Sequence, residues 1–452
     1  MQRVSSVADL VRRSASRPDQ RATVGATRHG SVERVERDER LGRVVVEDQR
    51  LEVAKAQRPP TCLSESVHLS REHRSSHTGD TEFPWTADTT YLNNASIGPI
   101  PERTRRALDE FTAKRTAPHL LPDRELFTGL AEARLGVAQL INADPAEIAL
   151  ATNTGYGLNL AAQALPLKKG DTVLLSDKEF PANVYPWLAL KERGIKVEVA
   201  RVGADGWPDE HYLLSRLSDP SVRALAVSFV QFSNGYRADL KKLSAACRAN
   251  GTYLVVDGIQ GIGNSVLDVR EVSIDVLACG GQKWLLSPWG SGFVYVRKEL
   301  IPKLEPAMIS WMAFEGTDDF SRLTEYNPTF RADARRFEMI TLPYQDFVGF
   351  TSSLRLILEI GVREVAEVTR ALQEPVVKWA KENGLRITSP VENGHRSAIL
   401  CIAPPKPAEA YHGLKRARVV CSLREGSIRL SPHCYNTVQE MEKVIEVLED
   451  LL

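Results

Sequence analysis

Two runs of the chain decide its fold: Tyr253-Leu254-Val255-Val256-Asp257 and Val276-Leu277-Ala278-Cys279-Gly280-Gly281-Gln282-Lys283-Trp284. Each begins as an unbroken apolar run without the alternation of a half-exposed strand. That is the pattern of a strand covered on both faces. Working outward, similar β-branched runs stand at 147–151, 172–176, 196–202, 224–230 and 292–297, which gives about seven strand candidates. Helical stretches such as 182–193 and 238–250 separate most of them, while the last two are joined by the loop that carries Lys283. The alternation predicts one open, mostly parallel α/β sheet.

The flanks read differently. Pro101 stands at the first turn of a helix expected over 103–114. Beyond Asp346 the pattern becomes that of a smaller α+β domain, with helices at 347–360, 361–383 and 437–452 and strands near 398–402 and 428–430. Residues 1–80 are rich in Arg, Ser and Glu, poor in aromatics and without a sustained apolar period. Such a segment cannot bury enough surface to offset its ordering entropy. We expect a disordered extension there, translated from a misassigned start or dispensable. The expected division is 1–80 extension, 81–105 a segment packing near the site, 106–345 the large domain and 346–452 the small C-terminal domain.

Composition removes several classes of function. Lys+Arg and Asp+Glu balance at 58 each, so no electrostatic case exists for nucleic acid or an anionic membrane as main partner. No apolar run approaches the length of a membrane span, and the opening residues lack the charged-then-apolar pattern expected of a signal peptide. The six cysteines are scattered without a C-x-x-C pair, which argues against a zinc site and fits a reducing cytoplasm.

Ligands of doubly wound sheets collect at the carboxyl ends of the strands, and three such ends carry chemistry. Thr152-Asn153-Thr154-Gly155-Tyr156-Gly157 leads into a helix starting near Leu158. Its free backbone N–H groups form an anion cradle, although many strand–helix turns look alike. Asp257 ends four apolar residues and needs a partner. Read alone, it is equally a cap residue or an anion held against a cationic ring nitrogen. Lys283 sits in an apolar, aromatic loop. It is either a desolvated nucleophile suited to Schiff-base formation or a lysine that reaches to the surface. Taken together in this order on one sheet, an anion cradle, a carboxylate and a lysine are what pyridoxal phosphate (PLP) requires for its phosphate, ring nitrogen and aldehyde.

With these residues in place, the sequence resembles the class V aminotransferase family of fold-type I PLP enzymes over roughly residues 85–450. That family includes cysteine desulfurases, isopenicillin N epimerase and kynureninase. Val255-Val256-Asp257-Gly258-Ile259-Gln260 is similar to its V-D-G-A-Q motif, which implies Asp257 at the ring nitrogen and Gln260 near the phenolic oxygen. Gly281-Gln282-Lys283-Trp284 is similar to G-x-K-W/L, which implies Lys283 as the Schiff-base lysine beside Gln282. Ser233-Asn234-Gly235 implies Asn234 beside the cofactor, and Thr154 and Gly155 fall where the family binds phosphate. Arg336-Phe337-Glu338-Met339-Ile340-Thr341 resembles R-F-E-x-G-T and implies that Thr341 reaches the phosphate of a partner subunit in a homodimer. Ile428-Arg429-Leu430-Ser431 resembles the late motif whose Arg grips a substrate carboxylate. Arg429 is therefore expected to bind the substrate of a small amino acid or amine, with Asn94 as a second substrate residue.

The departures narrow the chemistry. Where many relatives place a histidine over the ring, Glu179-Phe180-Pro181-Ala182-Asn183 resembles the kynureninase segment, which implies that Phe180 stacks on the cofactor. A Phe carries no proton, so acid–base work falls to Lys283 or another group. Arg424-Glu425-Gly426 matches the R-x-G element of one desulfurase subgroup, but Ser427 then leads directly into the Arg429 strand, leaving no cysteine loop. Gly280 replaces a hydroxyl residue of some relatives, and Gln282 a histidine. The expectation is aminotransferase-, lyase- or epimerase-type chemistry at an α-carbon. The alternatives are a desulfurase-like sulfur or selenium lyase and a non-catalytic protein that keeps the fold. A nicotinamide site is not expected, because Gly261-Ile262-Gly263 does not continue as G-x-G-x-x-G.

Overall fold

The strands run, in chain order, β1 (Thr90–Tyr91), β2 (Ile148–Leu150), β3 (Thr172–Ser176), β4 (Lys196–Ala200), β5 (Val222–Ser228), β6 (Tyr253–Asp257), β7 (Val276–Gly280) and β8 (Gly292–Val296). This is a computed structural model, which describes Gly79, residues 81–392 and residues 394–451. The reading of residues 1–80 as an extension therefore lies, Gly79 apart, outside the described residues.

Strands β2 to β8 form one sheet in the order β2-β8-β7-β6-β5-β3-β4. Within it β3 is parallel to β4 and β5, β5 to β6 and β6 to β7. Only β8 runs against its neighbours β2 and β7. The mostly parallel seven-stranded sheet is the one expected. Its side chains alternate between two cores. Val173, Leu175, Ala224, Ala226, Val255, Val276, Ala278 and Val294 belong to one. Leu174, Leu225, Val227, Leu254, Val256, Leu277 and Phe293 belong to the other. The period-2 rule thus holds in strands that read as continuously apolar because both faces are covered.

Among the described residues ten α-helices accompany the strands: α1 (Glu102–Arg115), α2 (Asp123–Ile141), α3 (Thr154–Ala164), α4 (Tyr185–Leu188), α5 (Glu210–Arg216), α6 (Leu240–Asn250), α7 (Tyr344–Ile360), α8 (Val362–Glu382), α9 (Pro407–Arg416) and α10 (Val438–Glu449). The helix expected over 182–193 is broken into α4 and flanking 3-10 turns. Pro181 and Pro186 start new turns there and remove two backbone donors. The helix expected from Leu158 begins four residues earlier, because Asn153 caps it by accepting from Tyr156 N at 2.9 Å. Thr154 and Gly155 therefore lie in its first turn.

The C-terminal part adds a second, smaller sheet with its own helices. Strands β9 (Arg386–Ile387), β10 (Leu400–Ala403), β11 (Val419–Val420), β12 (Ser422–Arg424) and β13 (Ser427–Leu430) complete the list. Four of them form an antiparallel sheet in the order β12-β13-β10-β9. It packs with α8, α9 and α10 around Leu400, Ile402, Ile428 and Leu430. Strand β1 pairs in parallel with β11, and Asn93 bridges to Ser431. These two contacts bring the segment after β1 beside Arg429.

Candidate active site

Strand ends β6 and β7 are adjacent, with Asp257 opposite Ala278 in register. Asp257 is 2% exposed, and its Oδ1 accepts from Ile259 N at 3.0 Å. Burial pushes its carboxyl up to about 6, partly opposed by the Ile259 N–H and by the charge of Lys283. Lys283 is half-buried, and desolvation pushes its ammonium down to about 8, against the attraction of Asp257. The cation of Arg429 lowers it further. The three charges therefore share one electrostatic neighbourhood.

The Lys283 loop is tightly held. Gly98 N donates to Gln282 O at 2.9 Å, and a Cβ on Gly98 would stand 2.0 Å from Lys283 O, so only glycine permits this approach. Trp284, 1% exposed, donates its indole N–H to Gln260 Oε1 at 2.9 Å and stacks on His433. Burial lowers the His433 imidazole to about 4, so it is neutral at physiological pH. Gln260 Nε2 donates in turn to Ala95 O at 2.9 Å. Gln260 thus ties the loop to the segment after β1.

The Thr154 turn closes against the end of β7. Thr154 Oγ1 accepts from Gly280 N at 2.9 Å, joining the first turn of α3 to the end of β7. Gln282 folds back over the same corner: a Cβ on Gly280 would lie 2.4 Å from Gln282 Oε1. A side chain at 280 would therefore have to share this corner with Gln282.

Phe180 is 44% exposed, edge-on to Phe232 at 5.3 Å between ring centroids, and Lys283 Nζ stands 5.7 Å from its centroid. A half-open aromatic face beside the lysine is the arrangement a stacked ring needs. Next to Phe180 in the chain, Glu179 is buried, and among the described residues no cation pairs with it. Its carboxylate accepts from Ser228 N (2.9 Å), Ser228 Oγ (2.5 Å), Gln231 Nε2 (2.6 Å) and Asn183 Nδ2 (3.0 Å). Burial raises its pKa, and the charge of Asp257 adds to that.

Arg429 is 2% exposed. It donates from Nε to Ser422 Oγ (3.1 Å), from Nη1 to Phe232 O (2.6 Å) and from Nη2 to Ser96 Oγ (2.7 Å). Among the described residues no carboxylate pairs with it, and burial lowers its pKa to about 10. A desolvated cation without a counter-ion costs several kcal/mol unless an anion arrives.

Some sequence-identified residues are placed elsewhere. Asn94 is fully buried and spends its amide on Ser431 O (2.9 Å) and the Tyr435 hydroxyl (3.2 Å). The residue of that segment that meets Arg429 is Ser96. Asn234 donates to Gly206 O (3.0 Å) and accepts from Tyr236 N (3.0 Å), so its amide holds loops together. The residue of that stretch beside Phe180 and Arg429 is Phe232. Thr341 is exposed on the loop before α7. Ser96 lies two residues from Asn94 in a stretch already marked by the family motif. Phe232 and Glu179 carry no signal of their own in the sequence. Among the described residues no group of three or more His, Cys, Asp or Glu side chains is set to hold a metal ion.

Known proteins resemble this chain over most of its length. The profile of the family described as Aminotransferase class-V matches residues 90–444. An uncharacterized aminotransferase of Bacillus subtilis, YcbU, is 31% identical over 84% of this chain and 97% of that protein. The isopenicillin N epimerase of Amycolatopsis lactamdurans is 29% identical over 80% of this chain and 95% of that protein. Among solved structures, the apo cysteine desulfurase of Thermococcus onnurineus NA1 superposes with a TM-score of 0.74 at 22% identity, covering 82% of this chain and 96% of that one. The chain therefore belongs to the class-V aminotransferase family.

Proposed function

We propose that this PLP-dependent enzyme acts at the α-carbon of a small amino acid or amine that carries a carboxylate, in aminotransferase-, lyase- or epimerase-type chemistry. Arg429 carries the reading: a buried guanidinium, unpaired with any described carboxylate, within electrostatic reach of Lys283. The residues present fit PLP. Asp257 supplies a buried anion for a cationic ring nitrogen, Lys283 a depressed-pKa amine for covalent attachment, Phe180 an apolar face, and the Thr154–Gly280 corner with Gly155 and Gln282 a place for phosphate. Bound there, the cofactor supplies a sink for the electron pair left at the α-carbon.

The chain's own residues do the rest. Arg429 holds the substrate carboxylate, its fork fixed by Ser96, Phe232 and Ser422. Lys283 Nζ, its pKa depressed by burial, would take the proton from the α-carbon of a bound substrate. Asp257 keeps the ring nitrogen's proton in place. Phe180 holds the ring by stacking and moves no proton. Gln260 and Asn234 act through the loops they brace, and Asn94 through the segment that presents Ser96.

Transfer of sulfur through a protein persulfide is disfavoured by the thiols. The described cysteines are all buried and none is in a disulfide. Burial pushes Cys401 up to about 11 and Cys421 and Cys434 up to about 12. A protonated, enclosed thiol is a poor nucleophile. Glu425 and Gly426 close a tight turn from β12 to β13, with Arg424 opposite Ser427, which leaves no loop to carry another. Among the described residues no helix is long and apolar enough to cross a membrane. We place the enzyme in the cytoplasm as a homodimer, with Thr341 reaching the partner's cofactor phosphate.

The test is an absorbance screen of the purified protein against a panel of amino acids, with mass analysis of products. A yellow protein whose spectrum changes with a carboxylate-bearing amine, and a Lys283→Ala variant that loses turnover, are expected. A colourless wild type, or a fully active variant, overturns the reading.

A further inference from the structure

The sheet face that carries Arg429 carries a second arginine. On the paired strands β12 and β13, Ser422 stands opposite Arg429, and Arg424 opposite Ser427. Cross-strand partners share a face, and so do residues two apart along a strand. Arg424 and Arg429 are therefore diagonal neighbours on one face, about 7–8 Å apart and within reach of long side chains. Leu423 and Ile428, on the other face, pack into the core of the C-terminal part. We propose that Arg424 sets the specificity of the site by holding a second acidic group, at the far end of the substrate side chain, while Arg429 holds the α-carboxylate. The inference rests on the carboxylate-bearing substrate proposed above.

Three observations carry it. The first is that the guanidinium is available. Arg424 is exposed. Its one side-chain hydrogen bond among the described residues runs from Nη1 to the adjacent Leu423 O at 3.1 Å, so none of its nitrogens is spent on a carboxylate there. The residue is also pinned at its backbone. Glu425 and Gly426 close the hairpin with φ of 46° and 75°. Two central residues at positive φ are what a two-residue turn between twisted strands requires.

The second is electrostatic. The charge of Arg424 is felt at both Lys283 and Arg429, where it opposes protonation. Arg424 thus acts on the site although it is itself exposed. One substrate carboxylate answers one of the two arginines. A second acidic group on the same molecule converts their mutual repulsion into attraction.

The third is space. A cavity of about 390 Å³ opens beside this face, lined by Ser427, the cross-strand partner of Arg424. Ser233 lines it too, one residue after Phe232, whose carbonyl holds Arg429 Nη1. Lys178 lines it two residues before Phe180. The walls of the cavity therefore continue directly into the residues around Arg429. Lys178 and Arg386 are matched in number by the carboxylates Asp205 and Glu425 in the same lining. Arg424, beside the Ser427 wall, leaves an excess of positive charge there. The substrate class that follows is an amino acid with an acidic side chain, of which aspartate and glutamate are the simplest.

Spectral titration of the holoenzyme with L-aspartate, L-glutamate and their amides, L-asparagine and L-glutamine, tests the proposal. Each amide matches its acid in shape and lacks the second charge. In the wild type at least one acid should bind about tenfold or more tightly than its amide, the worth of a charge-assisted hydrogen bond. Arg424→Gln should bring that ratio to within about twofold of unity, and Arg424→Lys, which keeps the charge without the fork, should retain part of it. Both changes replace an exposed side chain, and cofactor absorbance reports that each variant is folded and loaded. A ratio near unity in the wild type, a ratio unchanged in Arg424→Gln, or no spectral change with any of the four ligands overturns the proposal. The broader reading falls with it only if no carboxylate-bearing amine in the wider panel changes the spectrum.

Discussion

Arg429 Nη2 and Ser96 Oγ lie 2.7 Å apart across 333 residues of chain. The contact exists because β1 pairs with β11 and Asn93 bridges to Ser431, which sets the segment after β1 alongside β13. Two arms of the guanidinium are thereby fixed by a hydroxyl and a carbonyl before any substrate arrives. Arg429→Lys should lower kcat/KM for a carboxylate-bearing substrate by about a hundredfold, since an ammonium cannot reproduce the fork. Ser96→Ala should cost about tenfold or less, mostly in KM, because it removes one orienting bond to a charged group. Steady-state kinetics on both variants checks the order of the two effects.

The lysine should capture the cofactor in a pH-dependent way. Its pKa is depressed to about 8, so the neutral amine prevails above that value. The rate at which cofactor-free protein develops visible absorbance with added PLP should rise as pH climbs toward about 8 and then level off. Linkage has the matching sign. A depressed lysine contributes stability above its unfolded value near 10.5, and that contribution is lost as pH falls through about 8. At neutral pH, cofactor-free Lys283→Met should therefore be more stable than wild type, by about 1–2 kcal/mol after solvent screening. The difference should shrink toward pH 10 in thermal melts.

Glu179 should prove to be a positioning residue. Its two oxygens accept four donors, and a Gln there turns one acceptor into a donor facing Ser228 or Asn183. Glu179→Gln should cost about 1–3 kcal/mol of stability from the unmet donors. Because it leaves Phe180 less firmly placed and removes a charge that acts on Asp257, it should also shift the pH dependence of the cofactor absorbance. A variant with lowered stability and an unshifted profile would confine Glu179 to a structural role.

Gly280 and Gln282 should behave as a pair. Added alone, a side chain at 280 meets Gln282 Oε1, the far end of a flexible side chain, so Gln282 must swing away from the Thr154 corner. Gly280→Ser should weaken cofactor affinity, and Gly280→Ser with Gln282→His should recover part of the loss. A coupling energy of about 0.5–3 kcal/mol is expected from a double-mutant cycle read by absorbance titration.

Part of the site was legible because its signal is local. Asp257 and Lys283 each follow a short apolar run, and a charged or nucleophilic residue at the end of a buried strand stands out in one dimension. Thr154 was legible as a turn residue, though the helix start was displaced by the Asn153 cap. Phe180 was legible only through the family comparison, and its half-open face and nearness to Lys283 come from the fold.

The sequence by itself determined the seven apolar runs, their mostly parallel assembly and the position of Asp257 and Lys283 at or just beyond two buried strand ends, because strand burial and strand ends are written in consecutive residues. The tertiary structure decided the partners. Ser96 rather than Asn94 meets Arg429, Phe232 rather than Asn234 stands beside Phe180, and Glu179 is buried against Ser228, Gln231 and Asn183. Those choices depend on which side of the backbone each residue faces once β1 docks on β11 and the loops close. A shift of one or two residues in that register exchanges one side chain for another at the same place. Pairings between segments hundreds of residues apart are fixed by packing, and no local pattern records them.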